Sequence, residues 1–422
     1  MMSKKRSRVK NTFISIFSLM LGLIVGFVGE IFFSLPDSLA IPAKEIGTKY
    51  EYNASSNISE GAIDVDVINS EDISFHFIEL GNKYTGDCIY IKCGDTDILV
   101  DGGSRYDSIP YICNYVDSYM NDDCLDYIIV THAHQDHYAG YATPNESVES
   151  IFDHYRKNGN YGKSTGLIID FPQTKQKDTS KMYGYYKQER SQAMTNSETK
   201  HFTALECFNN NNDSANKSLN EKSANRYYKI GKDSQNNDIL LQILYTKYYD
   251  NPNAATENDN SVCFQIIQGT KRYLFTGDLE AEGEESLAQC EANNLGKVEL
   301  YKAGHHGSKT SSSEALLNVI QPEIVVVCCC AGSSEYTSNN NNQFPTQDFI
   351  NRISTWTDRI YVTTLCTNYK AAQFESFNGT VVVSSKGSTD TSLFCSNNTT
   401  KLKDTNWFEK NRTLPENAKI TA

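Results

Sequence analysis

Three histidines and one aspartate lie within six residues, directly after an apolar run rich in β-branched side chains. They are His132, His134, Asp136 and His137 in the sequence Thr131-His-Ala-His-Gln-Asp-His-Tyr-Ala-Gly140. Imidazole and carboxylate groups are the ligands that zinc and similar divalent cations take in proteins. The other five histidines are scattered along the chain. The cluster therefore predicts a metal site rather than a histidine-rich surface loop.

Three later features have residue types that could complete such a site. Asp101 ends an apolar run and is followed by Gly102 and Gly103, which allow a tight turn beside the metal loop. We expect Asp101 to orient a ligating histidine. Asp278 also ends an apolar run, in Leu274-Phe-Thr-Gly-Asp278, and two further histidines, His305 and His306, lie in a glycine-flanked turn.

The H-x-H-x-D-H spacing resembles the signature of the metallo-β-lactamase superfamily. Together with Asp-Gly-Gly, Thr-Gly-Asp and Gly-His-His-Gly-Ser-Lys, it resembles the hydrolase domain of ComEC-type competence proteins over residues 73–385, and more loosely the phosphorylcholine esterases. The resemblance implies one cation on His132 and His134 and a second on Asp136 and His137. It further implies that Asp278 bridges the two cations and that His305 or His306 completes the second site.

Two departures from this pattern concern the ligands. Residues 258–262 read Asn-Asp-Asn-Ser-Val, where many members of the superfamily carry a third histidine for the first cation. Residues 343–345 read Gln-Phe-Pro, where competence-type domains carry His-Pro. The first cation could be completed by water, Asn260, His154 or His201, so the prediction is one or two divalent ions, Zn²⁺ first and Mn²⁺ as the alternative. The ordinary interpretation, a surface or structural role, stands beside this one for His76, His154 and His201.

Apolar patterns place these residues on an α/β scaffold. The predicted strands cover residues 73–78, 87–92, 96–100, 125–130, 239–245, 261–267, 272–276 and 324–330. The predicted helices cover residues 106–120, 280–294 and 311–319. Because strand blocks alternate with helices, the pattern indicates two sheets sandwiched between helices, the αββα arrangement of the metallo-β-lactamase fold.

The N-terminal segment has five basic residues before a long apolar stretch at about residues 13–33. This pattern predicts a transmembrane anchor or a signal peptide in residues 1–43, followed by a polar linker at 44–70. A hydrolase domain is expected at 71–385, with a mobile polar insertion at about 174–236 and a C-terminal extension at 386–422. The positive-inside rule then places the catalytic domain outside the cytoplasmic membrane, as a single-pass protein or a secreted one.

Composition limits the partners. A formal net charge of -13 and a pI near 5.2 disfavour nucleic acid unless a local cationic patch or the metal attracts it. A single apolar span excludes a multi-helix DNA channel. The twelve cysteines include no C-x-x-C pair, which favours reduced core thiols over a zinc ribbon. No protein partner is inferred.

The expected activity is metal-dependent hydrolysis of a phosphodiester, because the enzymes that the motifs resemble act on phosphoesters. A metal-activated hydroxide would attack, Asp136 would orient it, and the metals with His305 or His306 would neutralise developing charge. Lys302, Lys309 and Asn260 are candidate substrate contacts. Two alternatives remain: hydrolysis of another ester, a thioester or an amide, and a catalytically inert metal-binding interaction domain.

Overall fold

The computed structural model describes residues 57–421 except 145–147, 157–163, 178, 196–197, 211–221, 252–255 and 388–389. The predicted anchor or signal segment at 1–43 and the first part of the linker lie outside these residues. No helix within the described ranges has the length and apolar character needed to cross a bilayer.

The described strands form two sheets. The first has nine described strands, in the spatial order β1 (Asn57–Ala62), β17 (Asp390–Cys395), β16 (Val381–Lys386), β2 (Ile73–Phe77), β3 (Ile89–Cys93), β4 (Thr96–Val100), β5 (Cys124–Val130), β6 (Ser164–Asp170) and β7 (Lys200–Thr203). The second has eight, in the order β15 (Gln373–Ser376), β14 (Ile360–Asn368), β13 (Ile324–Ala331), β12 (Leu300–Lys302), β11 (Lys271–Phe275), β10 (Phe264–Gln268), β9 (Asp238–Ile243) and β8 (Tyr227–Lys232). The predicted mixed α/β fold with two sheets is confirmed.

The described α-helices are mostly short. In chain order they are α1 (Val65–Asn69), α2 (Ile109–Asp117), α3 (Gln135–Tyr138), α4 (Ile151–His154), α5 (Lys181–Met194), α6 (Ala204–Asn209), α7 (Ala281–Cys290), α8 (Glu314–Ile320), α9 (Gln347–Ile353) and α10 (Asn406–Asn411). Single 3-10 turns lie at Tyr106–Ser108, Ala139–Tyr141, Asn258–Asn260, Gly304–Gly307, Asn340–Asn342 and Leu402–Asp404.

Alternating side chains of β2 show how the layers pack. Phe75 lies against Tyr273 and Phe275 of the second sheet, with ring centroids 4.5 and 5.8 Å apart. His76, between two phenylalanines, points to the other face and contacts Tyr115 of α2. Because successive side chains of a strand point to opposite faces, one strand contributes both to the sheet–sheet core and to a helix–sheet layer.

The outer face of the second sheet is covered by α7, α8, α9 and α10. Their apolar residues join β13 in one buried cluster, including Leu287, Leu317, Ile350 and Phe408. Every residue of β13 is buried, as its uninterrupted run of Val and Cys predicts for a strand covered on both faces. Nine of the twelve cysteines are buried, in agreement with their predicted place in the core.

The segment 174–236 differs from its prediction. It was expected to be a mobile excursion, but its described residues include α5, β7, α6 and β8, so each sheet takes an edge strand from it. This regular structure was not predicted because α5 packs mainly through Tyr183, Tyr186 and Ala193, in a sequence otherwise dominated by polar residues. Tyrosines provide the buried face that aliphatic residues usually provide.

Regular structure also extends beyond residues 71–385. β1 and α1 come from the segment predicted as a linker, and β17 and α10 come from the C-terminal extension. β1 pairs in parallel with β17, from Asn57 opposite Asp390 to Ala62 opposite Cys395. The first described strand therefore pairs with the last one at one edge of the first sheet.

Candidate metal centre

The first half of the site follows adjacent parallel strands. β4 ends before Asp101 and β5 ends before Thr131, and the Thr131 backbone N–H and hydroxyl each donate to the Asp101 carboxylate at 2.8 Å. The chain then runs through His132 and His134 into α3. Gly140 returns to Gly102 so closely that a Cβ on it would lie 2.3 Å from the Gly102 carbonyl oxygen. Glycine is therefore required where the metal loop crosses the Asp-Gly-Gly turn.

The second half follows β11 and β12 of the other sheet. Gly277, with φ +54°, turns the chain so that Asp278 points back toward the first sheet. After β12, His305 and His306 both have left-handed backbone conformations, with φ of 47° and 54°. Such a conformation is uncommon for residues other than glycine, and consecutive examples occur where the surrounding structure imposes them.

The candidate ligands form one group, called the metal cluster below: His132, His134, Asp136, His137, Asp278, His305 and His306. The Oδ2 atom of Asp278 lies at its centre. It is 3.1 Å from His137 Nε2, 3.3 Å from His306 Nε2, and 4.0 Å from both His132 Nε2 and His305 Nε2. The ligand atoms of Asp136, His137, Asp278 and His306 all lie within 4.8 Å of one another. The structure thus brings these predicted residues together across the two sheets.

His132 and His134 form the other part of the cluster. Nε2 of His132 lies 3.0 Å from Nδ1 of His134, and His134 is half-buried while His132 is fully buried. Because Asp278 Oδ2 faces His132 on one side and the His137–His306 pair on the other, its position suits a carboxylate shared between two cations.

The alternative histidine ligands that were considered for the first cation lie outside the cluster. His154 pairs with Asp117 at 3.0 Å, and His201 pairs with Asp170 at 2.7 Å, in contacts separate from the cluster. His76 is buried between Ser74 and Tyr115. All three therefore have structural roles, as their ordinary interpretation predicted.

Asn260 lies in the turn Asn258–Asn260, which packs between the two halves of the site. Val262 N–H donates to the Thr131 carbonyl at 2.8 Å, and the Asp278 N–H donates to the Ser261 hydroxyl at 3.1 Å. The side-chain oxygens of Asn258 and Asn260 are buried and accept no hydrogen bond from a described residue. Such orphaned oxygens fit a cation or a substrate group that would complete their bonding.

Neighbouring acceptors fix the orientation of two histidines. Nδ1 of His137 lies 2.8 Å from Asp101 Oδ2, and Nδ1 of His306 lies 2.8 Å from the Cys328 carbonyl oxygen. Each contact directs Nε2 into the cluster, which is the usual arrangement for a metal-ligating histidine. Nε2 of His306 is buried beside Asp278 Oδ2 and Asp136 Oδ2, at 3.3 and 3.4 Å, so the donor set fits a divalent cation.

The pKa values follow from the carboxylates in the cluster. Burial alone would lower the pKa of His137 and His306, but neighbouring carboxylates hold both pKa values well above the usual range. The carboxylates are Asp278 and Asp101 for His137, and Asp278 and Asp87 for His306. Burial, assisted by the charge on His137, lowers the pKa of His132. Opposing its burial, the imidazolium groups hold the pKa of Asp278 well below normal.

Asp87 and Lys302 form a buried pair that was not predicted. Lys302 Nζ contacts Asp87 Oδ2 directly, donates to the Gly277 carbonyl at 3.3 Å and lies 3.5 Å from Asp278 Oδ1, and both side chains are 1% exposed. The prediction that Lys302 meets a substrate phosphate is therefore wrong, because its ammonium is enclosed. Lys309 is exposed and remains a predicted substrate contact. The sequence feature that could have indicated this pair is the carboxylate of Asp87, which follows Gly86 just before an apolar strand.

Comparison with known proteins supports the superfamily. Residues 252–331, which include Asp278, His305 and His306, match the family model described as Metallo-beta-lactamase superfamily. A stretch of 89 residues, 21% of this chain, is 40% identical to Recombination protein 2 of Haemophilus influenzae and covers 11% of it. A stretch of 67 residues, 16% of this chain, is 42% identical to Competence protein ComA of Neisseria gonorrhoeae and covers 10% of it.

The third relative is ComE operon protein 3 of Bacillus subtilis, 33% identical over 20% of this chain and 11% of that protein. The matches thus span about a tenth of the length of each curated relative. Among solved structures, the metallo-beta-lactamase fold protein YhfI of Bacillus subtilis aligns over 55% of this chain and 70% of its own, with 15% identity and a TM-score of 0.28. The match of residues 252–331 to the Metallo-beta-lactamase superfamily, together with the three matches to recombination and competence proteins, supports a ComEC-like metallo-β-lactamase branch.

Proposed function

We propose that this chain is a metal-dependent hydrolase that cleaves phosphodiester bonds outside the cytoplasmic membrane. The observation that carries the proposal is the convergence of Asp136, His137, Asp278 and His306 within 4.8 Å, with His132 and His134 beside them. Four imidazole rings and two carboxylates from two sheets would be costly to bring together without a cation to neutralise and bind them.

The donor set suits two divalent cations, Zn²⁺ first and Mn²⁺ as the alternative. His132 and His134 would hold one, Asp136, His137 and His306 would hold the other, and Asp278 would face both. The bound cations would supply Lewis acidity and would lower the pKa of a water molecule toward neutrality. The buried amide oxygens of Asn258 and Asn260 accept no hydrogen bond from a described residue and are candidates for a further ligand.

The protein's own groups at the open side of the cluster would act on the substrate. Asp136 is 15% exposed and His305 is 21% exposed, whereas His137 and Asp278 are enclosed. Despite its burial, hydrogen bonding and charge from His306 and His137 keep the pKa of Asp136 well below its usual value, so this carboxylate stays an acceptor that can orient an attacking water. His305 lies at the same opening and can contact the substrate's phosphoryl oxygens.

A cationic and aromatic rim supports an anionic substrate. Lys83 Nζ lies 4.3 Å from the Tyr369 ring centroid, and the Arg105 guanidinium carbon lies 4.0 Å from the Tyr84 ring centroid. Arg105 also pairs with Glu335 at 3.4 Å, next to the cluster. In a chain with a net charge of -13, this local arrangement favours a phosphodiester over a neutral ester.

The test uses the full chain in mild detergent, loaded with Zn²⁺ or Mn²⁺. Metal content is measured by elemental analysis and turnover with bis-p-nitrophenyl phosphate, beside the variants His134→Ala and His154→Ala. We expect about two cations per chain and a loss of kcat/KM of roughly 100-fold or more in His134→Ala, whereas His154→Ala, which removes a histidine outside the cluster, keeps both.

Other outcomes separate the alternatives. If the chain binds metal but hydrolyses p-nitrophenyl acetate or a thioester and no phosphodiester, its substrate class is another ester or a thioester. Bound metal with no turnover of any of these would indicate an inert metal-binding domain. A wild-type chain that takes up neither Zn²⁺ nor Mn²⁺ would refute the proposal as a whole.

A further inference from the structure

Residues 332–346, between β13 and α9, form a strap beside the metal cluster. Its two ends are tied together, because the Gly332 N–H donates to the Phe344 carbonyl at 2.8 Å. Arg412 holds its C-terminal end by donating to the carbonyl oxygens of Gln343 and Pro345 at 2.6 and 2.8 Å. The strap is thus fastened to the body of the domain close to the cluster.

The strap is also tied to the loop before β3. The Glu335 carboxylate accepts a hydrogen bond from the Thr85 N–H at 3.0 Å and pairs with Arg105 at 3.4 Å. These contacts fix the backbone immediately before Tyr336. The position of Tyr336 is therefore set by the contacts of the residue before it.

Tyr336 contacts the cluster directly. Its hydroxyl donates to Asp136 Oδ2 at 3.0 Å, and its ring packs against Phe344 with centroids 5.6 Å apart. Phe344, which takes the place of the histidine in the competence-type His-Pro pair, lies 5.8 Å from the rings of both His305 and His306. The two aromatic rings therefore form a wall along one side of the cluster.

Asp136 has a specific need for such a partner. It belongs to α3, a helix of four residues, and its side chain is the most exposed carboxylate of the cluster at 15%. The oxygen that accepts from Tyr336 also lies 3.4 Å from His306 Nε2. A donor on the solvent side fixes the rotation of the carboxylate and keeps this oxygen directed at the cluster.

We propose that Tyr336 is a positioning residue that orients Asp136 for metal binding, and this inference rests on the proposed metal-dependent function. The hydroxyl supplies the orienting hydrogen bond, while Phe344 supports the ring. Tyr336 is 57% exposed, so apolar burial contributes little to its placement, and the contact with Asp136 is the bond that its hydroxyl makes to the site.

The test compares wild type, Tyr336→Phe and Tyr106→Phe in the full chain. Tyr106 is a second exposed tyrosine, at 49%, outside the strap. Zn²⁺ affinity is measured by competition with a chelator, and the visible spectrum of the Co²⁺-loaded protein reports on ligand geometry. In Tyr336→Phe we expect the Zn²⁺ site to which Asp136 would contribute to lose affinity by about 10–100-fold, the Co²⁺ bands to shift, and kcat to fall with little change in KM.

The metal-free melting temperature should be the same in all three proteins, because removing one hydroxyl from an exposed ring leaves the fold intact. Wild-type Zn²⁺ affinity and an unchanged Co²⁺ spectrum in Tyr336→Phe would overturn the inference while leaving the metal site itself established. Equal losses in Tyr106→Phe would also overturn it. Failure of the wild-type chain to bind Zn²⁺ or Co²⁺ would instead remove the proposed function, and the inference with it.

Discussion

The substitution Lys302→Met would leave a carboxylate without its partner in the interior. Lys302 and Asp87 are each 1% exposed and in direct contact, and the ammonium also lies 3.5 Å from Asp278 Oδ1. Methionine keeps the length and the apolar part of the side chain, so the substitution removes mainly the charge. The expected result is a large loss in the free energy of unfolding.

The magnitude follows from the burial of the pair. Removing one partner of a buried ion pair costs about 3–5 kcal/mol, since the remaining charge is then uncompensated. Here His306 Nδ1 lies 3.2 Å from the other oxygen of Asp87 and carries a positive charge because of its raised pKa. This second cation offsets part of the loss, so we expect about 3 kcal/mol, the lower end of that range.

The assay is urea denaturation of the full chain in mild detergent with EDTA, so that metal binding contributes nothing. The double variant Asp87→Asn with Lys302→Met should recover about 2 kcal/mol, because no unpaired charge remains. Lys309→Met, which removes an exposed lysine seven residues later, should change stability by less than about 0.5 kcal/mol. A Lys302→Met loss below about 1 kcal/mol, or a double variant less stable than the single, would refute the reasoning.

Two further predictions concern pH. Burial, and next the charge on Lys92, lower the pKa of His76 to about 3, so the folded state keeps this imidazole neutral. The free energy of unfolding should therefore be largest above pH 6.5 and fall below that pH by up to about 1.4 kcal/mol per pH unit. In a His76→Gln variant the melting temperature should depend less on pH between about pH 7 and 4.5. Burial raises the pKa of Asp126 to about 6, so the folded state binds this proton more tightly than the unfolded state and loses stability as the pH rises from about 4 to 6. The substitution Asp126→Asn should therefore stabilise the protein by about 1–3 kcal/mol at pH 8 and by much less at pH 4. Equal melting-temperature shifts at both pH values would contradict the assignment.

The parts of the site that the sequence predicted share one property. His132, His134, Asp136 and His137 are neighbours in the chain, so their spacing alone indicates a common ligand. Asp101 and Asp278 each end an apolar strand, and a carboxylate at a strand end is a recognisable signal. These features are local, and local patterns can be identified before the fold is known.

The parts that were missed depend on contacts between distant segments. Asp87 and Lys302 lie 215 positions apart in the sequence, and Tyr336 and Asp136 lie 200 apart. Nothing in the sequence around Tyr336 distinguishes it from the chain's 25 other tyrosines. Similarly, α5 was missed because its buried face consists of tyrosines, which apolar periodicity does not detect well.

The pairing of β1 with β17 has a consequence for where the domain can be cut. A chain that began at residue 71 would lack β1, and β17 would then become an edge strand with a row of unpaired backbone groups open to a second copy. β1 covers that edge, and Glu60 on it accepts a hydrogen bond from Tyr361 of the second sheet at 2.9 Å, which ties it to both sheets. The six residues of β1 are thus part of the first sheet, and a domain boundary drawn at residue 71 would remove its outermost described strand.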